Sequence, residues 1–170
     1  PSDRFEEDAL RMLRAIRFAV QLNFQIDDQT FEAIIKHADL ITKISWERIS
    51  DEFLKIIATQ YPAEGISLLD EAGLLQFILP ELIECKGVEQ GGHHNTDVWT
   101  HSLDALKECP SPDPVVRLAT LLHDVGKAPT FEIRNNKITF YNHEILGSRI
   151  ADKVAKRLKF SKDQRRRLFI

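Results

Sequence analysis

The chain has 170 residues, 43% hydrophobic and 29% charged, a balance that supports one large or two small packed cores and excludes disordered and collagen-like classes. Its formal net charge of −3 excludes a uniformly basic nucleic-acid surface but leaves room for local basic patches. No stretch reaches the ~18 consecutive apolar residues of a membrane-spanning helix, and Cys85 and Cys109 are too few for a disulfide framework, so a cytoplasmic protein with inert thiols and no membrane partner is expected. Pro1 at the start and an uncapped helix at Arg165 to Ile170 lead to the expectation that both ends are cut from a longer protein.

Residues 6 to 21 are nearly continuous helix formers without Gly or Pro, which predicts one buried helix. Further helices are signalled by Asp28 ahead of Thr30 to His37, by Ser45 ahead of Trp46 to Thr59, and by Pro62 ahead of Ala63 to Ala72, stopped by Gly73. From Glu84 to Thr96 periodicity disappears around Gly87, Gly91 and Gly92, which predicts a linker or mobile loop. Beyond it Asp97 to Lys107 reads as helix, Pro110 to Pro114 as a turn, and Asp113 with Pro114 as cap and first position of the next helix. Thr130 to Phe140 alternates around Asn135 and Asn136 as a small hairpin, a helix starts at Asn142, and Ser161 with Gln164 forms a capping box. The fold expected is all-α, with domains at 1–84 and 98–170 and a linker at 85–97.

The first predicted helix is apolar yet carries Arg11, Arg14 and Arg17 at intervals of three. Asp8, Arg11 and Arg14 advance by about 300° per step and so lie on adjacent strips of one side, while Glu7 and Arg11 form an (i, i+4) pair. A guanidinium beside a carboxylate is a hydrogen-bonding edge with fixed donors and acceptors. Cytosine and adenine present an amino donor beside a ring-nitrogen acceptor, whereas uracil and guanine present a carbonyl there. Asp8 could accept from the amino group and Arg11 donate to the ring nitrogen, admitting CTP and ATP and rejecting UTP and GTP. On spacing alone the commoner reading of such residues is a structural salt bridge on a core helix.

The stretch Glu7-Asp8-Ala9-Leu10-Arg11-Met12-Leu13-Arg14-Ala15-Ile16-Arg17-Phe18-Ala19 resembles the E-D-x-x-R motif of bacterial CCA-adding tRNA nucleotidyltransferases and their poly(A) polymerase relatives. The block Ile44 to Glu52 resembles the I-S-x-E-R-I-x-x-E motif that braces the neck helices of that family, and Leu68 to Leu75 with Leu79-Pro80-Glu81 resembles the end of the neck. The resemblance implies that Asp8 and Arg11, supported by Glu7, bind the incoming nucleotide, and that Arg4, Arg14 and Arg17 offer an RNA-binding face for the tRNA 3′ end. The family's strand-rich head, with its G-S-x-x-D-x-D carboxylates for two Mg²⁺, is not matched in these residues, so the chain is expected to select a nucleotide without reacting it.

In the second half, His101, His123 with Asp124, and His143 fall on three predicted helices. Such nitrogen and oxygen ligands suit Mg²⁺, Mn²⁺, Fe²⁺, Ni²⁺ or Zn²⁺ without sharp discrimination, while a lone His-Asp pair equally reads as a helix cap. Leu121 to Lys127, with Trp99 to Leu103 upstream and Asn142-His143-Glu144 downstream, resembles the HD superfamily of metal-dependent phosphohydrolases. The resemblance implies a helical HD-type domain with His101, His123 and Asp124 as metal ligands, His143 as a second-metal or phosphate-side residue and Lys127 as a phosphate contact. The family's final Asp ligand is expected further downstream. His93 and His94 read as solvated loop residues and His37 as structural.

Three readings follow. The first is a transferase piece, a neck selecting CTP or ATP fused to a phosphohydrolase module. The second is a free-standing HD hydrolase acting on nucleotides, with the first eighty residues as a helical cap. The third is a helical RNA-binding or interaction module. Asp8 and Arg11 separate the first two.

Overall fold

The computed structural model describes residues 1–91 and 96–168. The expectations for His93 and His94 lie outside the described residues. The chain forms two compact units, Pro1–Ile78 and Leu79–Ile170, and among the described residues its regular structure is helical apart from a two-stranded antiparallel hairpin and an isolated Glu89–Asp97 bridge.

The first unit contains α1 (Ser2–Glu7), α2 (Leu10–Leu22), α3 (Asp28–His37), a 3-10 segment (Ala38–Lys43), α4 (Trp46–Ile57), α5 (Pro62–Glu71) and the single turn α6 (Leu75–Ile78). α2 packs on both α4 and α5, and Met12, Leu13, Ile16, Phe53, Ile56, Ile66 and Leu69 are fully buried in its core. A Cβ built on Gly65 would stand 2.7 Å from Ile56 Cγ2, so this glycine lets α5 approach α4 closely.

The expected helix over residues 6–21 is interrupted. Asp8 is extended, with φ −151 and ψ 102, between α1 and α2. Its Oδ1 accepts from the Leu10 backbone N–H at 3.1 Å, a local side-chain bond that competes with the helical ladder and sets the start of α2. The cap of α3 is Asp27, whose Oδ1 accepts from Thr30 N at 3.0 Å, and Asp28 is the first helical residue. Ser45 caps α4, Pro62 opens α5, and Gly73 takes the left-handed conformation, φ 74, that ends it.

The second unit contains α7 (Pro80–Ile83), α8 (Val98–Glu108), α9 (Pro114–Leu122), α10 (Lys127–Thr130), β1 (Glu132–Arg134), β2 (Lys137–Thr139), α11 (His143–Arg157) and α12 (Lys162–Leu168). α9 packs on α8, α11 and α12 around Val115, Leu118, Leu121, Leu122, Val154 and Leu158. Asn135 and Asn136 both have positive φ, 49 and 63, as a two-residue hairpin turn of the twisted kind requires. Part of the stretch expected as a linker is folded into this unit. Val98 N donates to Val88 O at 3.0 Å, Trp99 N to Cys85 O at 3.2 Å, and Gly87 N to the Asp97 carboxylate at 2.7 Å. Among the described residues, no helix is long and apolar enough to cross a membrane.

Candidate functional site

In the first unit the break between α1 and α2 places Asp8 at a cavity of about 720 Å³, lined also by Glu6, Glu7, His37, Lys43 and Arg48. Asp8 Oδ2 accepts from Arg48 Nη2 of α4 at 2.9 Å. The Arg48 hydrogen bond, with that of the Leu10 N–H, outweighs partial burial and holds the Asp8 carboxyl below the usual carboxylate range. Arg11 does not pair with Asp8. Its Nη1 donates to Glu7 Oε2 at 2.6 Å and to the Arg4 carbonyl at 3.0 Å. The cavity is therefore edged by the Asp8–Arg48 carboxylate–guanidinium pair, and Glu7, which also lines it, is held by Arg11 from outside the lining.

Arg14 and Arg17 of α2 both reach Glu52 of α4, with Nε at 3.3 and 2.7 Å from its two oxygens. Glu52 is 2% exposed, so these arginines supply the partners that a buried carboxylate needs. Arg4 is exposed and stands 4.0 Å from Glu7. Sequence reasoning missed Arg48 and His37 as cavity residues. The His37 Nε2 atom is buried without a hydrogen-bond partner among the described residues and lies 3.9 Å from Glu6 Oε1.

In the second unit, His101 of α8 meets His123 and Asp124 in the turn that follows α9. His101 Nε2 is 3.2 Å from His123 Nε2 and 3.5 Å from Asp124 Oδ2, and His123 Nε2 is 3.2 Å from that same oxygen. Three ligands of a divalent ion, each about 2.0–2.2 Å from it at tetrahedral or octahedral angles, stand about 3–3.5 Å apart, so this triangle fits such an ion. His123 Nδ1 is 2.7 Å from the Thr120 carbonyl, which fixes the proton there and turns the Nε2 lone pair toward the cluster. The hydrogen bond to Asp124 outweighs burial and raises the His123 pKa. Burial alone would raise Asp124, but hydrogen bonds and charge from His123 and Lys127 drive it well below the carboxylate range. The pocket thus favours positive charge among three ligand atoms.

Lys127 Nζ donates to Asp124 Oδ2 at 2.8 Å and to Gln90 Oε1 at 3.0 Å, so the lysine is tied to the carboxylate of the cluster. Gln90, which sequence reasoning left in the linker, is 8% exposed and has no local signal that marks it. His143 opens α11 and is not a member of the three-residue ligand cluster found among the described residues. Its Nδ1 is 2.8 Å from the Phe140 carbonyl, and the Phe140 ring stacks edgewise on His143 while lying 5.7 Å from Lys127 Nζ. A Cβ on Gly126 would meet the His143 carbonyl at 2.0 Å, so Gly126 admits the start of α11 beside the turn. Burial pushes the Cys85 thiol up to about 12, so it stays protonated and unreactive.

Two family descriptions match the chain: "Probable RNA and SrmB-binding site of polymerase A" over residues 23–86, and "HD domain" over residues 98–168. An A-adding tRNA nucleotidyltransferase of Deinococcus radiodurans is 38% identical over 168 residues, covering 92% of this chain and 39% of the relative. A CC-adding tRNA nucleotidyltransferase of Thermus thermophilus is 34% identical with the same two coverages, 92% and 39%. A CCA-adding enzyme of Levilactobacillus brevis is 41% identical over 108 residues, 59% of this chain and 27% of that protein. The chain thus spans 39% of the length of the first two relatives.

Proposed function

We infer, from the premise that this chain belongs to the bacterial tRNA nucleotidyltransferase and poly(A) polymerase family with an HD domain, that its first unit selects CTP or ATP for addition to a tRNA 3′ end in the cytoplasm. The observation that carries this is the ionised Asp8 carboxylate held at the cavity by Arg48 and the Leu10 N–H. An acceptor-only carboxylate pairs with the amino group of cytosine or adenine and faces a carbonyl in uracil or guanine. Arg48, rather than Arg11, stands beside it as the donor to a ring nitrogen, and Glu7, held by Arg11, lines the same cavity. Arg14 and Arg17 support RNA binding indirectly, by fixing α2 against α4 through Glu52. Nucleotidyl transfer itself would use Mg²⁺ carboxylates outside the matched motifs.

The second unit adds a phosphohydrolase site, with His101, His123 and Asp124 as the ligands of a divalent ion. Bound there, the ion would supply Lewis acidity and an activated water for cleaving a phosphate ester. Lys127 keeps Asp124 ionised and aimed, and its second bond to Gln90 fixes the ammonium. His143, held by the Phe140 carbonyl, faces a phosphate-bearing substrate from the start of α11.

Asp8→Ala in the full-length enzyme tests the first assignment. Losing a paired, partly buried hydrogen bond costs about 1–3 kcal/mol, so the preference for CTP and ATP falls about 5- to 150-fold while tRNA affinity holds. Unchanged selectivity against all four nucleotides would remove Asp8 from the template.

A further inference from the structure

The cations that the sequence marks for RNA, Arg4, Arg14 and Arg17, each lie within ion-pair distance of a carboxylate of the first unit, as do Arg11 and Arg48, and residues 1–78 hold eight Lys and Arg against fourteen Asp and Glu. Residues 79–148 are acidic as well, with six against ten. Residues 149–168 reverse the balance, with nine Lys and Arg against two Asp and Glu. Such segregation in a chain of net charge −3 concentrates positive potential on α11 and α12.

On α11, Arg149, Lys153 and Lys156 are exposed and fall at intervals of four and three, one stripe of the helix. The opposite face, Ala151, Val154, Ala155 and Leu158, is buried in the unit's core. Asp152 accepts from Lys156 Nζ at 2.7 Å and from Arg165 Nη2 at 2.6 Å, which joins the stripe to α12. Arg149, Lys159, Lys162 and Arg166 have no ion-pair partner among the described residues, and Lys153 acts on Glu81 through its charge without a salt bridge. A second observation points the same way. Lys159 sits at φ 59, the left-handed position that closes α11, with Phe160 N donating to Ala155 O at 3.0 Å across the end of the helix. That position favours Gly or Asn, and the residue there is an exposed lysine, so backbone strain and a surface cation coincide.

We propose that the surface of α11 and α12 binds the phosphate backbone of RNA. The stripe from Arg149 to Lys156 extends about 10 Å along the helix at 1.5 Å per residue, so its cations are strung along a line that suits a run of phosphates and not one converging anion. A membrane surface would also attract positive charge, but an interfacial helix buries a large apolar face in lipid, and here that face is committed to the core. The proposal rests on the RNA reading above for the kind of polyanion, and it adds a binding site away from the Asp8 cavity.

The test measures affinity of the protein against salt concentration, using a tRNA transcript, an RNA hairpin without a tRNA 3′ end, and phosphatidylserine vesicles. The triple variant Lys153→Gln, Lys162→Gln, Arg166→Gln is expected to bind both RNAs at least about tenfold more weakly, with a slope of log affinity against log salt shallower by about three. Lys153→Arg with Lys162→Arg keeps the charge and binds as the unmodified protein does. Lys159→Gly relieves the strained backbone, so it melts no lower than the parent and still binds RNA more weakly, a combination that a purely structural lysine does not produce. An unchanged salt slope in the triple variant, or tighter binding to vesicles than to RNA at equal salt, overturns the proposal. Nucleotide selectivity is read separately through Asp8→Ala, so loss of the template reading with the salt effect intact leaves this surface standing, and the reverse rejects it alone.

Discussion

Single residues show how little space the second unit leaves around its ligand cluster. The Gly126 position would put a Cβ 2.0 Å from the His143 carbonyl and 2.6 Å from Gly147 N, both backbone atoms that no rotamer change can move. Gly126→Ala is therefore expected to push α11 outward and cost about 1–3 kcal/mol, read as a lower denaturation midpoint with an unchanged m-value. Glu81 is a second point of control. Burial opposes its ionisation, but hydrogen bonding and charge from Arg157 prevail and its pKa is lowered, with Arg157 Nη1 at 2.9 Å from Oε2. A carboxyl depressed in the folded state adds stability above its unfolded pKa, and that contribution disappears as pH falls through the folded value. The midpoint difference between the unmodified protein and Glu81→Gln should thus be present at pH 7 and shrink steadily below about pH 4.3, the ordinary glutamate value. A difference that stays constant down to pH 3 would remove Glu81 as the source. His101, His123 and Asp124 were legible because an adjacent His-Asp pair bounded by helix signals carries its own pattern. Arg48 and Gln90 were not, since their roles arise from residues 40 and 37 positions away.

Elements were legible where local chemistry writes their ends. Ser45, Asp97, Asp113 and the reciprocal Ser161–Gln164 cap stand at the helix starts that the sequence signals, because each satisfies an orphan backbone group within three residues, and Pro62 opens α5 because it has no N–H to leave orphaned. The split between α1 and α2 was invisible for the converse reason. Helix formers surround Asp8, and only the paired demands of Leu10 N–H and Arg48 pull its backbone out of the helix. The Glu52 clamp carries the main test at this scale. Glu52→Gln removes the charge that Arg14 and Arg17 share at a buried position, and because Arg14 is 45% exposed water compensates part of the loss. About 1–3 kcal/mol of stability should disappear, measured by urea unfolding, and the loss should persist at high salt because the carboxylate is buried. A ΔΔG that vanishes in 1 M salt would mean that the clamp acts as a surface ion pair.

At the scale of the whole molecule, the two units carry different kinds of chemistry, and the second gives a direct thermodynamic readout. A divalent ion that binds the folded His101–His123–Asp124 cluster raises stability by RT ln(1 + [M]/Kd), about 2.7 kcal/mol at a hundredfold excess over Kd. Mn²⁺ or Ni²⁺ should raise the melting temperature, a chelator should return it, and His123→Ala should abolish the shift; an equal shift in that variant would place the ion elsewhere. The uneven distribution of charge reaches further than binding. A protein of formal charge −3 is expected to pass through a phosphate-bearing cation exchanger at neutral pH, since the resin and the molecule carry the same sign. Column retention samples the face presented to the matrix, however, and of the nine cations in residues 149–168 Arg157 and Arg167 are paired with Glu81 and Asp113, which leaves seven against two anions on α11 and α12. The protein should adhere to both an anion exchanger and phosphocellulose in the same low-salt buffer, behaving in purification as though it had two isoelectric points.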